Sequence, residues 1–179
     1  MRVLGIDPGS RITGYGLIDV VMGKTQYVSC GVIRMADKPF PQRLKEIFEG
    51  ITTLLQTYAP EQVAIEQVFV QRNVRSALLL GQARGTAMVS CALHDLPIFE
   101  YSARQVKQSV VGYGNATKAQ VQHMVQSLLH LSQAPSSDAA DALAIALCHV
   151  HQQNGLLLGL TQKPSSLRRV SPLPLAGKG

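Results

Sequence analysis

The stretch Val3-Leu4-Gly5-Ile6-Asp7-Pro8-Gly9-Ser10 is apolar up to one aspartate and then breaks at once into Pro-Gly-Ser. That is the pattern of a buried strand that carries a carboxylate to its tip and then turns sharply. Three more acids stand in similarly apolar surroundings. Glu66 ends Val63-Ala64-Ile65-Glu66, and Asp138 and Asp141 open Asp138-Ala139-Ala140-Asp141-Ala142-Leu143. Burying acids is costly unless they are paired or hold a cation. Four such acids point to an all-oxygen site for a hard divalent ion, magnesium or manganese rather than zinc.

The pattern around Asp7 sets the expected fold. Residues 2–7, 13–20 and 26–34 read as strands, and the short gap at Gly23-Lys24 makes them antiparallel hairpins. Leu44, Ile47, Phe48, Ile51, Leu54 and Leu55 recur at helical spacing over 41–58, and Pro60 marks the stop. Strands at 62–66 and 97–101 alternate with helices at 75–94, 103–111, 117–130 and 137–153, with a polar, basic loop over 67–74. Short strands separated by helices add to a sheet in parallel. The expectation is an α/β fold. Its mixed sheet has three antiparallel strands followed by two parallel ones, flanked by helices. Asp7 and Glu66 then lie at adjacent carboxyl ends, where such sheets bind ligands.

Each acid also has a plainer reading. Asp before Pro-Gly is ordinary turn chemistry. Glu66 can pair with Arg72 or Arg75. Asp138 and Asp141 share one helix face, in a first turn where acids stabilise the helix dipole. The four together favour the metal cluster, and two ions about 3.5–4 Å apart suit phosphoryl transfer.

Composition is consistent with such a site. The chain has 179 residues, 46% of them apolar, enough for one domain, and its net charge of +6 favours an anionic partner. The three cysteines, Cys30, Cys91 and Cys148, are scattered, which argues against a zinc site or a disulfide framework and for reduced thiols in the cytoplasm. Neither a signal peptide nor a membrane span is expected. A nuclease domain is expected over 1–155. Residues 156–179, rich in Pro, Ser, Arg and Lys, read as a basic, flexible tail.

These residues closely resemble the RuvC family of Holliday junction resolvases, which are crossover junction endodeoxyribonucleases. The resemblance is carried by Leu4-Gly5-Ile6-Asp7-Pro8-Gly9-Ser10-Arg11, Thr13-Gly14-Tyr15-Gly16, Ala64-Ile65-Glu66-Gln67-Val68-Phe69, Leu80-Gly81-Gln82-Ala83-Arg84-Gly85, Ala103-Arg104-Gln105-Val106-Lys107-Gln108 and Asp138 through Ala146. It is collinear over about residues 2–150. The first turn alone is less specific, because actin-like and sugar-kinase ATPases share it. Those enzymes need two such domains, which this chain is too short to supply.

The resemblance implies a ribonuclease-H-like fold and a cytoplasmic homodimer that cuts two opposed strands of a four-way DNA junction. It also implies magnesium dependence, with two ions per site and manganese able to substitute, and work beside the RuvA–RuvB branch-migration complex. By position it makes Asp7, Glu66, Asp138 and Asp141 the metal-binding catalytic acids and sets Lys107 and Lys118 beside the cleaved backbone. Phe69 would insert or stack at the junction centre. Arg72, Arg75, Arg84 and Arg104 are candidate phosphate contacts, which position DNA without reading its sequence. The helix near Ser76–Leu93 is apolar nearly all round, with Gly81 and Gly85 permitting close approach, and is the expected dimer contact. Two other functions share part of this pattern: a ribonuclease H acting on RNA–DNA hybrids, and a non-catalytic junction-binding module.

Overall fold

The computed structural model describes residues 1–35, 37–67 and 73–161, with side chains to residue 154. Five strands form one sheet in the order β3-β2-β1-β4-β5. β1 (Arg2–Asp7), β2 (Ile12–Val21) and β3 (Lys24–Arg34) are antiparallel neighbours, while β4 (Gln62–Glu66) and β5 (Ile98–Tyr101) run parallel to β1. This is the expected mixed sheet. The β2–β3 hairpin closes on Met22 and Gly23, both at positive φ (49° and 76°). A two-residue turn that follows the strands' twist needs that conformation.

Strand alternation sorts the side chains into two cores. Leu4, Ile6, Leu17, Val63 and Ile65 face α1 (Phe40–Tyr58) and α2 (Val74–Ala92). Val3, Ile18, Ala64 and Tyr101 face the other layer, made of α3 (Ala103–Val111), α4 (Lys118–Leu128) and α5 (Ser137–Thr161). With a period of two, Asp7 falls on the face of Val3, and Glu66 on the face of Ala64. Both acids therefore point toward the layer that holds α5.

α5 lies unusually close to the sheet. A Cβ on Gly5 would stand 2.1 Å from the Ala142 carbonyl oxygen, and one on Gly14 would stand 2.1 Å from that of Asp138. Only glycine admits a helix backbone at that distance. Gly14 is also the register partner of Asp7. The same close approach that buries α5 thus brings its acidic first turns to the tip of β1.

The element limits differ from the sequence expectation by a few residues. α2 begins at Val74, where the Asn73 side chain accepts from the Ser76 amide, and it ends at Ala92 instead of 94. α5 runs to Thr161, past the boundary expected at residue 155. Among the described residues, no helix is long and apolar enough to cross a membrane.

Candidate active site

β1, β4, α3, α4 and α5 converge on a cleft of about 260 Å³. Asp7, Glu66 and Asp141 line it together with Lys107 and Lys118, over an apolar floor of Val106, Val121 and Ile145. The turn after Asp7 is tied internally. The Gly9 amide donates to Thr13 Oγ1 at 3.3 Å, and that hydroxyl donates back to the Gly9 carbonyl at 3.2 Å. Thr13 is buried. The parallel pairing of Ile6 with Ile65 sets the two strand tips, and so the two acids, side by side.

Lys118 enters from the start of α4. Thr117 caps that helix, accepting from the Gln120 amide, and Gln120 reaches back in a reciprocal capping box. The Lys118 ammonium donates to Asp141 Oδ2 at 3.0 Å. That bond, with the fields of Asp141, Asp7 and Asp138, raises the lysine's pKa above its ordinary value. Lys107 comes from α3, whose start carries a second capping box, Ser102 with Gln105.

The acids perturb one another strongly. Burial pushes the Asp7 carboxyl up to about 8, helped by the negative fields of Glu66 and Asp141 and by a hydrogen bond to Glu66. Burial also raises Glu66, whereas its bond with Asp7 lowers it. Both carboxyls of the pair are thus held above their ordinary values, Asp7 the more strongly. Two lysines would not neutralise three ionised carboxylates, so full ionisation of the cleft calls for a further cation. The donor set is all oxygen and fits a hard divalent cation. Among the described residues, no group of three or more His, Cys, Asp or Glu stands in ready metal-holding geometry. The Lys118 ammonium occupies Asp141 Oδ2, an oxygen that a cation would use.

Other expected residues sit elsewhere. Asp138 is half-buried in the first turn of α5 and does not line the cleft, although its field reaches Lys118. Arg75 is exposed near the start of α2, and the exposed Arg104 lays its stem over Gly114. Arg84 is engaged inside the fold. Its Nε donates to the Glu66 carbonyl at 3.0 Å, and its other end pairs with Glu100. Phe69 and Arg72 lie outside the described residues.

Two arrangements went unanticipated. One is the Arg84 brace on the backbone of Glu66. The other is a buried chain in which His149 joins Tyr101 to Gln62. Burial pushes the Cys91 and Cys148 thiols up to about 12 and 11.

Comparison with known proteins agrees with this geometry. The family described as "Crossover junction endodeoxyribonuclease RuvC" matches residues 3–149. Curated proteins of that name from Marinobacter nauticus and Pseudoalteromonas translucida are 59% and 56% identical. Each match spans 87% of this chain and 89% of the relative. The solved structure of Thermus thermophilus RuvC with a Holliday junction substrate superposes with a TM-score of 0.81 at 35% identity, over 87% of this chain and 96% of that one. The yeast mitochondrial resolvase Ydc2, with a TM-score of 0.63 at 15% identity over 87% of this chain and 82% of its own, shares the fold. By sequence and by structure, this chain belongs to the RuvC family of crossover junction endodeoxyribonucleases.

Proposed function

We propose that the protein resolves four-way DNA junctions by paired symmetric nicks, through hydrolysis of phosphodiester bonds in recombination and repair. The observation that carries this reading is the cleft itself. In a chain of this family, three carboxylates and two lysines from five separate elements face one space.

Two magnesium ions bound among Asp7, Glu66 and Asp141, with Asp138 at the rim, would acidify an attacking water and offset charge on the leaving oxygen. The protein's own groups do the remaining work. Lys107 and Lys118 orient the scissile phosphate and counter the charge that develops on it. The amides at the start of α4 add donors beside Lys118. The apolar floor sheds water, which strengthens each of these interactions. The nick leaves a 5′-phosphate and a 3′-hydroxyl.

Paired nicks require two sites. Val74, Leu78, Val89 and Leu93 form an exposed apolar stripe along α2, and a Cβ on Gly81 or Gly85 would meet nothing within 4 Å. A large exposed apolar patch marks an interaction surface, and a two-fold dimer through α2 matches the symmetry of a junction. Phe69, Arg72, Arg75 and Arg104 would hold the DNA around this dimer. The nuclease unit spans residues 1–155, followed by a basic segment. It works in the cytoplasm beside the RuvA–RuvB complex.

The test is cleavage of an end-labelled four-way junction with magnesium, run beside linear duplex and an RNA–DNA hybrid. Symmetric nicks confined to the junction support the proposal. Cleavage of only the RNA strand of the hybrid refutes it in favour of a ribonuclease H.

A further inference from the structure

The core between α5 and the sheet contains one chain of polar side chains that the proposed chemistry does not use. His149 on α5 is fully buried. Its Nδ1 lies 2.8 Å from the Tyr101 hydroxyl and its Nε2 lies 2.6 Å from Gln62 Oε1. An amide oxygen can only accept, so Nε2 carries the proton and donates to Gln62. Nδ1 of the neutral ring then accepts from the Tyr101 hydroxyl. The Phe99 ring lies against the imidazole, with centroids 4.5 Å apart. Every ring nitrogen is satisfied, and the ring has one orientation.

The placement of these residues relates them to the catalytic acids. Gln62 lies on β4, on the same face as Glu66. Tyr101 on β5 is the register partner of Glu66. His149 follows Asp141 and Ile145 on one face of α5, at successive steps of four residues. It stands about 12 Å beyond Asp141 along the helix axis. The glycine contacts at Gly5 and Gly14 fix how closely α5 approaches β1 and β2. They act on the side of α5 that faces β1 and β2, while the side toward β4 and β5 is held by apolar packing and by the bonds of His149. The His149 chain adds a directional restraint to that packing, because it bonds α5 to both of those strands at once.

We propose that the buried Gln62–His149–Tyr101 chain is a positioning device that fixes the rotation of α5. It thereby sets the spacing of Asp141 from Glu66 needed to hold divalent metal. The inference deepens the proposed function and rests on it for the identity of the metal site. It makes His149, Tyr101 and Gln62 positioning residues, none of which touches DNA. Misplacement of a catalytic group by about 1 Å can cost about 100-fold in rate. Residues that orient metal ligands typically contribute about 10- to 100-fold to affinity or activity.

The test uses the full chain with Tyr101→Phe and Gln62→Leu, each removing one hydrogen bond while keeping most of the volume. Manganese is titrated without DNA and followed by its electron paramagnetic resonance signal. Single-turnover junction cleavage, junction binding in chelator and the unfolding temperature are measured on the same samples. The expected result is about a 10-fold weaker manganese affinity and at least a 10-fold slower cut, with junction binding in chelator unchanged. Nitrogen NMR of His149 in the wild type should show the neutral ring protonated at Nε2. Wild-type manganese affinity and cutting rate in both variants, with only a lower unfolding temperature, would overturn the inference by showing a purely structural chain. If the wild type binds manganese but cuts no junction, the functional proposal falls, and the positioning role is then decided by the manganese affinities alone.

Discussion

Replacing Asp7 with asparagine should make the metal-free protein more stable, and only at neutral to alkaline pH. Asp7 is pushed from its ordinary 3.8 up to about 8, by burial first and then by Glu66 and Asp141. A folded-state value above the unfolded one means that the folded protein binds the extra proton between those limits. The stability linked to that proton is complete below about pH 4 and is lost as pH rises through about 8. At roughly 1.4 kcal/mol per pH unit the full span amounts to several kcal/mol. Asparagine keeps the volume and a donor toward Glu66 but removes the charge. Its amide is still desolvated, so the net gain should be about 1–3 kcal/mol at pH 8 and near zero at pH 5. For a chain of this size that corresponds to roughly 2–12 °C in Tm. The assay is thermal and urea unfolding in chelator at both pH values. Magnesium at about 100 times its Kd should then restore about 2.7 kcal/mol to the wild type and little to the variant. An Asp7→Asn protein less stable than the wild type at pH 8 in chelator would refute this account. So would an equal gain at pH 5 and pH 8.

Three further outcomes follow from the geometry. Lys118→Ala should slow single-turnover cleavage by about 100-fold or more, since it removes a charge aimed at the phosphate. It should barely change urea stability, because Lys118 is 71% exposed and its bridge to Asp141 is worth little in solvent. Leu78→Glu should yield monomers by sedimentation velocity, whereas Gly81→Ala should leave monomer folding neutral or improved by up to about 1 kcal/mol, since the helix is open there. Arg84→Ala should slow cutting without changing the salt dependence of junction binding, because its guanidinium is spent on the Glu66 carbonyl and Glu100. A phosphate contact would instead reduce the slope of log affinity against log salt by about 1.

Where a signal is local, it was legible in the sequence. The strand ending at Asp7 was readable because alternation and a Pro-Gly break occur within eight residues. The cap of α4 is equally local, since Thr117 lies just before the helix it stabilises. The mixed sheet followed from the lengths of the gaps between strands. The parts that were not legible depend on partners distant in sequence. Arg84 looked like any basic residue on a helix, and its bond to the Glu66 carbonyl exists only once α2 packs beside β4. Nothing local singles out His149, which acquires meaning only when α5 crosses β4 and β5. Asp138 and Asp141 shared a helix face in the sequence. The seat of Asp138 over Gly14 leaves it at the rim while Asp141 enters the cleft. The glycines explain why the start of α5 comes so close to the tip of β1, and that too is a long-range contact.

The account turns on whether the carboxylates in the cleft hold metal for chemistry on a junction. The most direct measurement is junction cleavage by Asp7→Asn in magnesium, with junction binding followed in parallel in chelator. The account predicts that no nicks form while the variant binds the junction at least as tightly as the wild type, because a metal ligand is lost and the cleft becomes no more negative. Nicks at the wild-type rate from the same variant would contradict it.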